Sequence, residues 1–109
     1  MTPLELSNRL WHFAARVSKV VDALPDTCTG RHVAGQLIRC GSAAPPNYDE
    51  GRVTESKADF APKINVALKE LVETEGWLKF VVLADLCRQE SSAVSRMSAL
   101  SFTEFCIHR

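Results

Sequence analysis

Apolar residues recur at intervals of four and three along most of this chain. Leu6, Leu10, Phe13, Val17, Val20 and Leu24 form one such line, the heptad seam of a helix that packs along its length against another. Beside it runs a second line, Leu4, Trp11, Ala14 and Val21. One seam suffices for a bundle within the chain, so the second predicts that this helix also faces another subunit. Thr2-Pro3-Leu4-Glu5 starts the helix: Thr2 is the N-cap, Pro3 takes the first helical position and Glu5 completes a capping box. Leu24-Pro25 ends it, because the residue before proline is driven out of the helical region. The first helix is expected over 3–24.

A second helix is expected over 30–53, capped by Thr27 or Thr29 and carrying Val33, Ala34, Leu37 and Ile38. Pro45 and Pro46 lack a donor and crowd the preceding turn, so they should break or kink it near Ser42, with a second helical piece through 47–52. Ser56, followed by Asp59, resembles a capping box for a third and longest helix over 56–87. Phe60, Ile64, Ala67, Leu71, Thr74, Leu78 and Val81 keep the alternation there, and Leu68, Val72, Phe80 and Val82 widen the stripe. Glu55, Asp59 and Lys63, and likewise Glu75 and Lys79, stand four apart with the acid first, the pattern of a solvated face. Gly76 is out of place in a helix, where it costs roughly 1 kcal/mol relative to alanine. It is expected to admit a close neighbour such as the ring of Trp11 or Trp77. Ser91 or Ser92 can cap a fourth helix over 91–106 with Val94, Met97, Leu100 and Phe105. Alternating runs and hairpin turns are missing. The pattern therefore predicts one all-α domain over 1–109, an antiparallel up-down-up-down four-helix bundle with helix two kinked near Pro45-Pro46.

Charge narrows the function classes. Thirteen Lys and Arg balance thirteen Asp and Glu, which argues against a dedicated polyanion binder. The first ten residues show no leader pattern and no apolar run nears the roughly 18 residues of a membrane span, so a cytoplasmic protein off the membrane is expected. Cys28, Cys40, Cys87 and Cys106 include no C-x-x-C pair and read as small hydrophobes or surface thiols. No Glu-x-x-His motif supports a di-iron centre, and phosphate loops, nucleophile elbows and zincin motifs are missing. Cys28 and His32, four apart, lack the second pair that a metal site needs. No catalytic group, metal or cofactor is expected.

The polar residues Arg39, Asn47, Tyr48, Glu50, Glu55 and Asp59 gather around the proline pair. They read first as a structural network stitching helix two to helix three, with Arg39 pairing Glu50 or Asp59. The alternative is a small-ligand-binding or enzymatic site around Asn47, Tyr48, Glu50 and Asp59.

Residues 30–51, GRHVAGQLIRCGSAAPPNYDEG, together with ESKADF at 55–60, KINVALKEL at 63–71 and ETEGWL at 73–78, resemble a bacterial family. Its members are four-helix bundle proteins first noticed as open reading frames in intervening sequences of large-subunit ribosomal RNA genes. RLWHFAARV and ALP at 9–17 and 23–25 also match. The resemblance implies an antiparallel four-helix bundle assembled as a ring, typically a homopentamer. A similar accessory protein of diversity-generating retroelements forms a basic pentameric barrel that binds reverse transcriptase and nucleic acid. The combined reading is a non-enzymatic homo-oligomer that binds RNA, DNA or a nucleic-acid enzyme. Arg31, Arg39, Arg52, Lys57, Lys63 and Lys69 are its candidate phosphate contacts, because helices two and three together carry most of the basic residues, whereas helix one carries three.

Overall fold

Capping chemistry decides where the helices begin and end. The computed structural model describes residues 1–54 and 57–86, apart from the side chains of Lys57 and Asp59. Three α-helices are formed among them and no strand: α1 (Pro3–Ala23), α2 (Cys28–Arg52) and α3 (Lys57–Leu83). At the head of α1 the Thr2 hydroxyl accepts from the Glu5 amide at 3.1 Å, and the Glu5 carboxylate accepts from the Thr2 amide at 3.3 Å. Leu24 adopts extended backbone ahead of Pro25 and ends α1 as expected. Thr27 caps α2 by accepting from the Gly30 amide at 3.0 Å. Gly30 is required there, since a Cβ would stand 2.0 Å from the Pro25 carbonyl oxygen.

The proline pair does not break α2, which runs on through Pro45 and Pro46 to Arg52. The two missing amides leave carbonyls one turn earlier without their usual donor. Those are the Gly41 and Ser42 carbonyls; beside them the Ser42 hydroxyl donates to the Ile38 carbonyl and the Asn47 side-chain amide to the Ala43 carbonyl at 2.8 Å. The expected separate piece over 47–52 is the last part of one helix.

The end of α3 also departs from expectation, coming at Leu83 and not near residue 87. Asp85 takes a φ of 53°, the left-handed region that Asp tolerates better than most side chains. Its amide donates to the Val82 carbonyl and the Leu86 amide reaches back to the Val81 carbonyl, both at 3.1 Å. This is a Schellman closure, with Leu86 packed on the same core as Val81. The expected fourth helix, 91–106, lies outside the described residues.

α2 packs against both α1 and α3, and it runs antiparallel to each. Ser7 meets Asp49 while Val17 meets Gly41; Ile64 meets Gly51 while Trp77 meets His32. The shared core comprises Leu10, Phe13, Val17 and Val20 from α1, Val33, Leu37, Ala44 and Tyr48 from α2, and Ala67, Leu71, Leu78 and Val81 from α3. Most of both predicted seams is therefore buried. Thr74, the one polar member of the α3 seam, is fully buried and donates to the Glu70 carbonyl at 2.7 Å. Phe60, expected to open that seam, and Ile38 on α2 are exposed.

The glycines of α2 and α3 behave differently. A Cβ on Gly41 would sit 2.8 Å from Val17 Cγ1, so α1 approaches α2 more closely than any side chain there would permit. Gly76 was expected to admit a ring, yet nothing lies within 4 Å of where its Cβ would be. No contact among the described residues explains it. Gly41→Ala is expected to destabilise the fold by roughly 1–3 kcal/mol, the range for overpacking. Val17→Ala in the same chain should recover part of that loss, measured by urea unfolding of the single and double variants.

Candidate functional site

Polar side chains cluster along the two edges of α2. On the α1 edge the hub is Asp49. Ser7 Oγ donates to its Oδ1 at 2.5 Å, Trp11 Nε1 to its Oδ2 at 2.8 Å and Arg52 Nε to its Oδ1 at 3.0 Å. Burial disfavours the ionised form, but the three donors and the Arg52 charge outweigh it and hold the carboxyl below its ordinary range. A carboxylate so fully bonded is a poor proton acceptor. Its physical effect is to fix the Trp11 indole, whose ring stays half exposed.

The α3 edge is built around Arg39. Its guanidinium donates to Glu73 and, at 3.1 Å, to Gln36, and lies 3.5 Å from Glu70. Glu73 also accepts from Trp77 Nε1 at 3.3 Å, and the Trp77 ring stands edge-on to His32 and Phe80, each at 5.7 Å. Glu70 Oε2 is buried with the Arg39 charge as its neighbour but without an aligned hydrogen bond. Below this group, Cys40 is fully buried. Burial pushes its thiol up; Thr74 and Arg39 pull the other way, and Glu73 and Glu70 add to the rise. A thiol of this kind is a weak nucleophile.

The expected network around the prolines is thus divided. Arg39 does not pair with Glu50, because antiparallel packing puts it level with Glu70 and Glu73; its expected alternative partner Asp59 has its side chain outside the described residues. Glu50, about three turns further along α2, pairs instead with Lys63 at 2.7 Å. Asn47 bonds within its own helix. Tyr48 is buried toward α1, with its hydroxyl 3.5 Å from the Pro3 carbonyl, and burial raises its phenol above the usual value. Tyr48 and Glu50 therefore face different helices and do not converge on one pocket. Glu55 and the Asp59 side chain lie outside the described residues.

The candidate phosphate contacts are mostly paired within the chain. Arg31 meets Asp26 at 2.8 Å, Arg52 meets Asp49 at 3.0 Å, Lys63 meets Glu50 and Arg39 meets the two glutamates of α3. Lys69 is exposed and has no ion pair among the described residues; the Lys57 side chain lies outside them. Among the described residues no group of three His, Cys, Asp or Glu could hold a metal ion, and no helix is long and apolar enough to cross a membrane. Sequence reasoning overlooked Asp49 as a hub. Its signal was Ser7, a polar residue one position off the α1 seam, together with Arg52 three residues further along.

A family model described as 23S rRNA-intervening sequence protein matches residues 3–101. Among solved structures, a protein of unknown function from the S23 ribosomal protein family of Bacteroides thetaiotaomicron VPI-5482 shares 26% identity with a TM-score of 0.78. The alignment covers 94% of this chain and 93% of that one. No curated protein matches the chain.

The Asp49 hub carries a pH signature. Its folded pKa lies below the unfolded value of about 3.9, so its stabilisation is complete above that pH and is lost as pH falls through the folded value. Asp49→Ala is expected to cost about 2 kcal/mol at pH 7, in the range for hydrogen bonds to a charged group. The difference from the parent chain should shrink as pH falls below about 4, read from urea unfolding over a series of acidic buffers.

Proposed function

The chain belongs to the 23S rRNA-intervening sequence protein family, and from that footing we propose that it is a non-enzymatic, cytoplasmic, homo-oligomeric helical-bundle protein that works by presenting surfaces. The observation that supports this is the second apolar line on α1. Leu4 and Trp11 remain exposed after the first line has been buried against α2, and a soluble monomer gains nothing from such a surface. The polar clusters agree with it: Asp49, Arg39 and Glu50 are each engaged by neighbours within the chain, and no set of them frames a reaction. The four-helix bundle belongs to the same proposal. In an up-down-up-down order the fourth position lies between α1 and α3, and it is assigned to 91–106. The family resemblance favours five subunits.

A second reading has the oligomer bind nucleic acid or a nucleic-acid enzyme. It is favoured by Lys69, which is exposed and unpaired among the described residues. The Arg31–Asp26 and Lys63–Glu50 pairs also lie at the surface, where an ion pair is worth only about 0–1 kcal/mol and yields readily to a phosphate. Arg39 and Arg52 are held by less exposed carboxylates and are weaker candidates.

A native mass spectrum of the full chain, purified without nuclease, separates these readings. The expected result is a single multi-subunit species without nuclease-sensitive mass. Extra mass that nuclease removes, and that Lys69→Glu with Lys63→Glu abolishes, would establish the second reading. A monomer at micromolar concentration would overturn the oligomeric proposal.

A further inference from the structure

Gly76 stands in the last third of α3, on the side turned away from the core. Nothing lies within 4 Å of the position its Cβ would take. One turn to either side stand Val72, 49% exposed, and Phe80, 39% exposed. The result is a shallow notch on an outer helix face, with Val72 and Phe80 four residues away and Glu73 and Lys79 three away, made by a glycine against which no described residue packs. On α1, which lies on the other flank of α2, the Trp11 indole is 48% exposed and tied to Asp49 by its Nε1. One surface offers a fixed apolar projection and the other a recess.

We propose that these two faces form a head-to-tail contact between copies of this chain, with Trp11 of one copy seated over Gly76 of the next. The inference rests on the oligomeric reading above and names the surfaces that it uses. An antiparallel alignment of the two helices brings further pairs together. Leu4 and Trp11 are seven apart, as are Leu83 and Gly76, so Leu4 falls on Leu83, itself 86% exposed. Ala15 falls on Val72, small against large, as Trp11 against Gly76 is large against small. A parallel alignment would place Leu4 on Lys69, a worse match.

Charge agrees with the antiparallel choice. Asp22 on α1 and Lys69 on α3 are both exposed and have no ion pair among the described residues. The alignment brings them within about one turn of each other, inside the reach of a lysine side chain. The two faces lie on opposite flanks of α2, so one copy cannot offer both to the same partner, and the contact is heterologous. A contact of that type joins copies in a series that closes into a ring when the rotation permits. The Asp49 bond then has a purpose beyond the fold: a tryptophan held in one orientation loses little freedom when it docks, and rigid tryptophans are frequent anchors of interfaces.

The test is a mixing experiment on full-length chains by native mass spectrometry, with circular dichroism to confirm folding. Gly76→Leu fills the notch and Trp11→Ala removes the projection. Each is expected to weaken association by about thirtyfold or more, the fold-change for loss of one interface anchor. A ring would then fall apart at micromolar concentration. Mixed one to one, the two variants retain a single intact contact, Trp11 of the Gly76→Leu chain on Gly76 of the Trp11→Ala chain, and should yield a heterodimer. Asp22→Lys and Lys69→Asp should each weaken the parent assembly, and the double exchange should restore it. An oligomer that survives Gly76→Leu, or variants that do not complement, would overturn this contact and leave the oligomeric reading standing. A parent chain that is monomeric would overturn both.

Discussion

The close approach of α1 and α3 to the small residues of α2 governs the rest of the structure. Val17 lies over Gly41, and Lys63 and Ile64 lie over Gly51. A helix shared by two neighbours has to spend most of its circumference on them. In α2 this is visible in what is buried: Gly41, Ala44, Pro45 and Gly51 beside Val33, Leu37 and Tyr48. Small side chains let both partners come near, and the larger ones fill the space between all three helices. The narrow strips left along each edge of α2 are where the polar clusters sit, because there a side chain can touch the neighbour and still reach water. Asp49 and Arg39 are therefore edge residues tying helices together, and their partners are dictated by antiparallel register.

Much of this was legible in the sequence. The four-three alternation named the buried face of α1 and nearly all of that of α3, and local capping at Thr2 and Thr27 placed two helix starts. Those features depend on near neighbours along the chain, where spacing alone determines contact. Of the two outcomes expected at the proline pair, a break and a kink, the break does not occur, because the penalty of proline is local whereas the packing that holds α2 is not. A helix clamped on two sides by packing tolerates the two lost amides. The end of α3 was missed because Asp85 fills the left-handed position that glycine usually takes.

The polar site was read less well than the helices. Arg39 was matched to acids close in sequence, Glu50 and Asp59, whereas its partners stand more than thirty residues away on α3. Choosing among many acids requires the register between helices, and the apolar pattern fixes that register only when both seams are aligned on a common core. Asp49 was hidden for a related reason. Its donors Ser7 and Trp11 come from the far end of the other helix, and neither looks like a carboxylate partner until the two termini are seen side by side.

The contrast among the glycines bears most directly on function. In α2, Gly41 and Gly51 both lie under a neighbouring helix, so each repays its conformational cost in packing. Gly76 has the same cost, and no neighbour among the described residues returns it. A helix that keeps such a residue on an outer face, with Val72 and Phe80 above and below, is shaped for something outside the fold. The charges point the same way. With Arg39, Arg52 and Lys63 neutralised by acids of the same chain, long-range electrostatics contribute little to partner choice, and recognition falls to shape and apolar area. A second copy meets that requirement with the residues present, because the projection on α1 and the recess on α3 are carried by every chain.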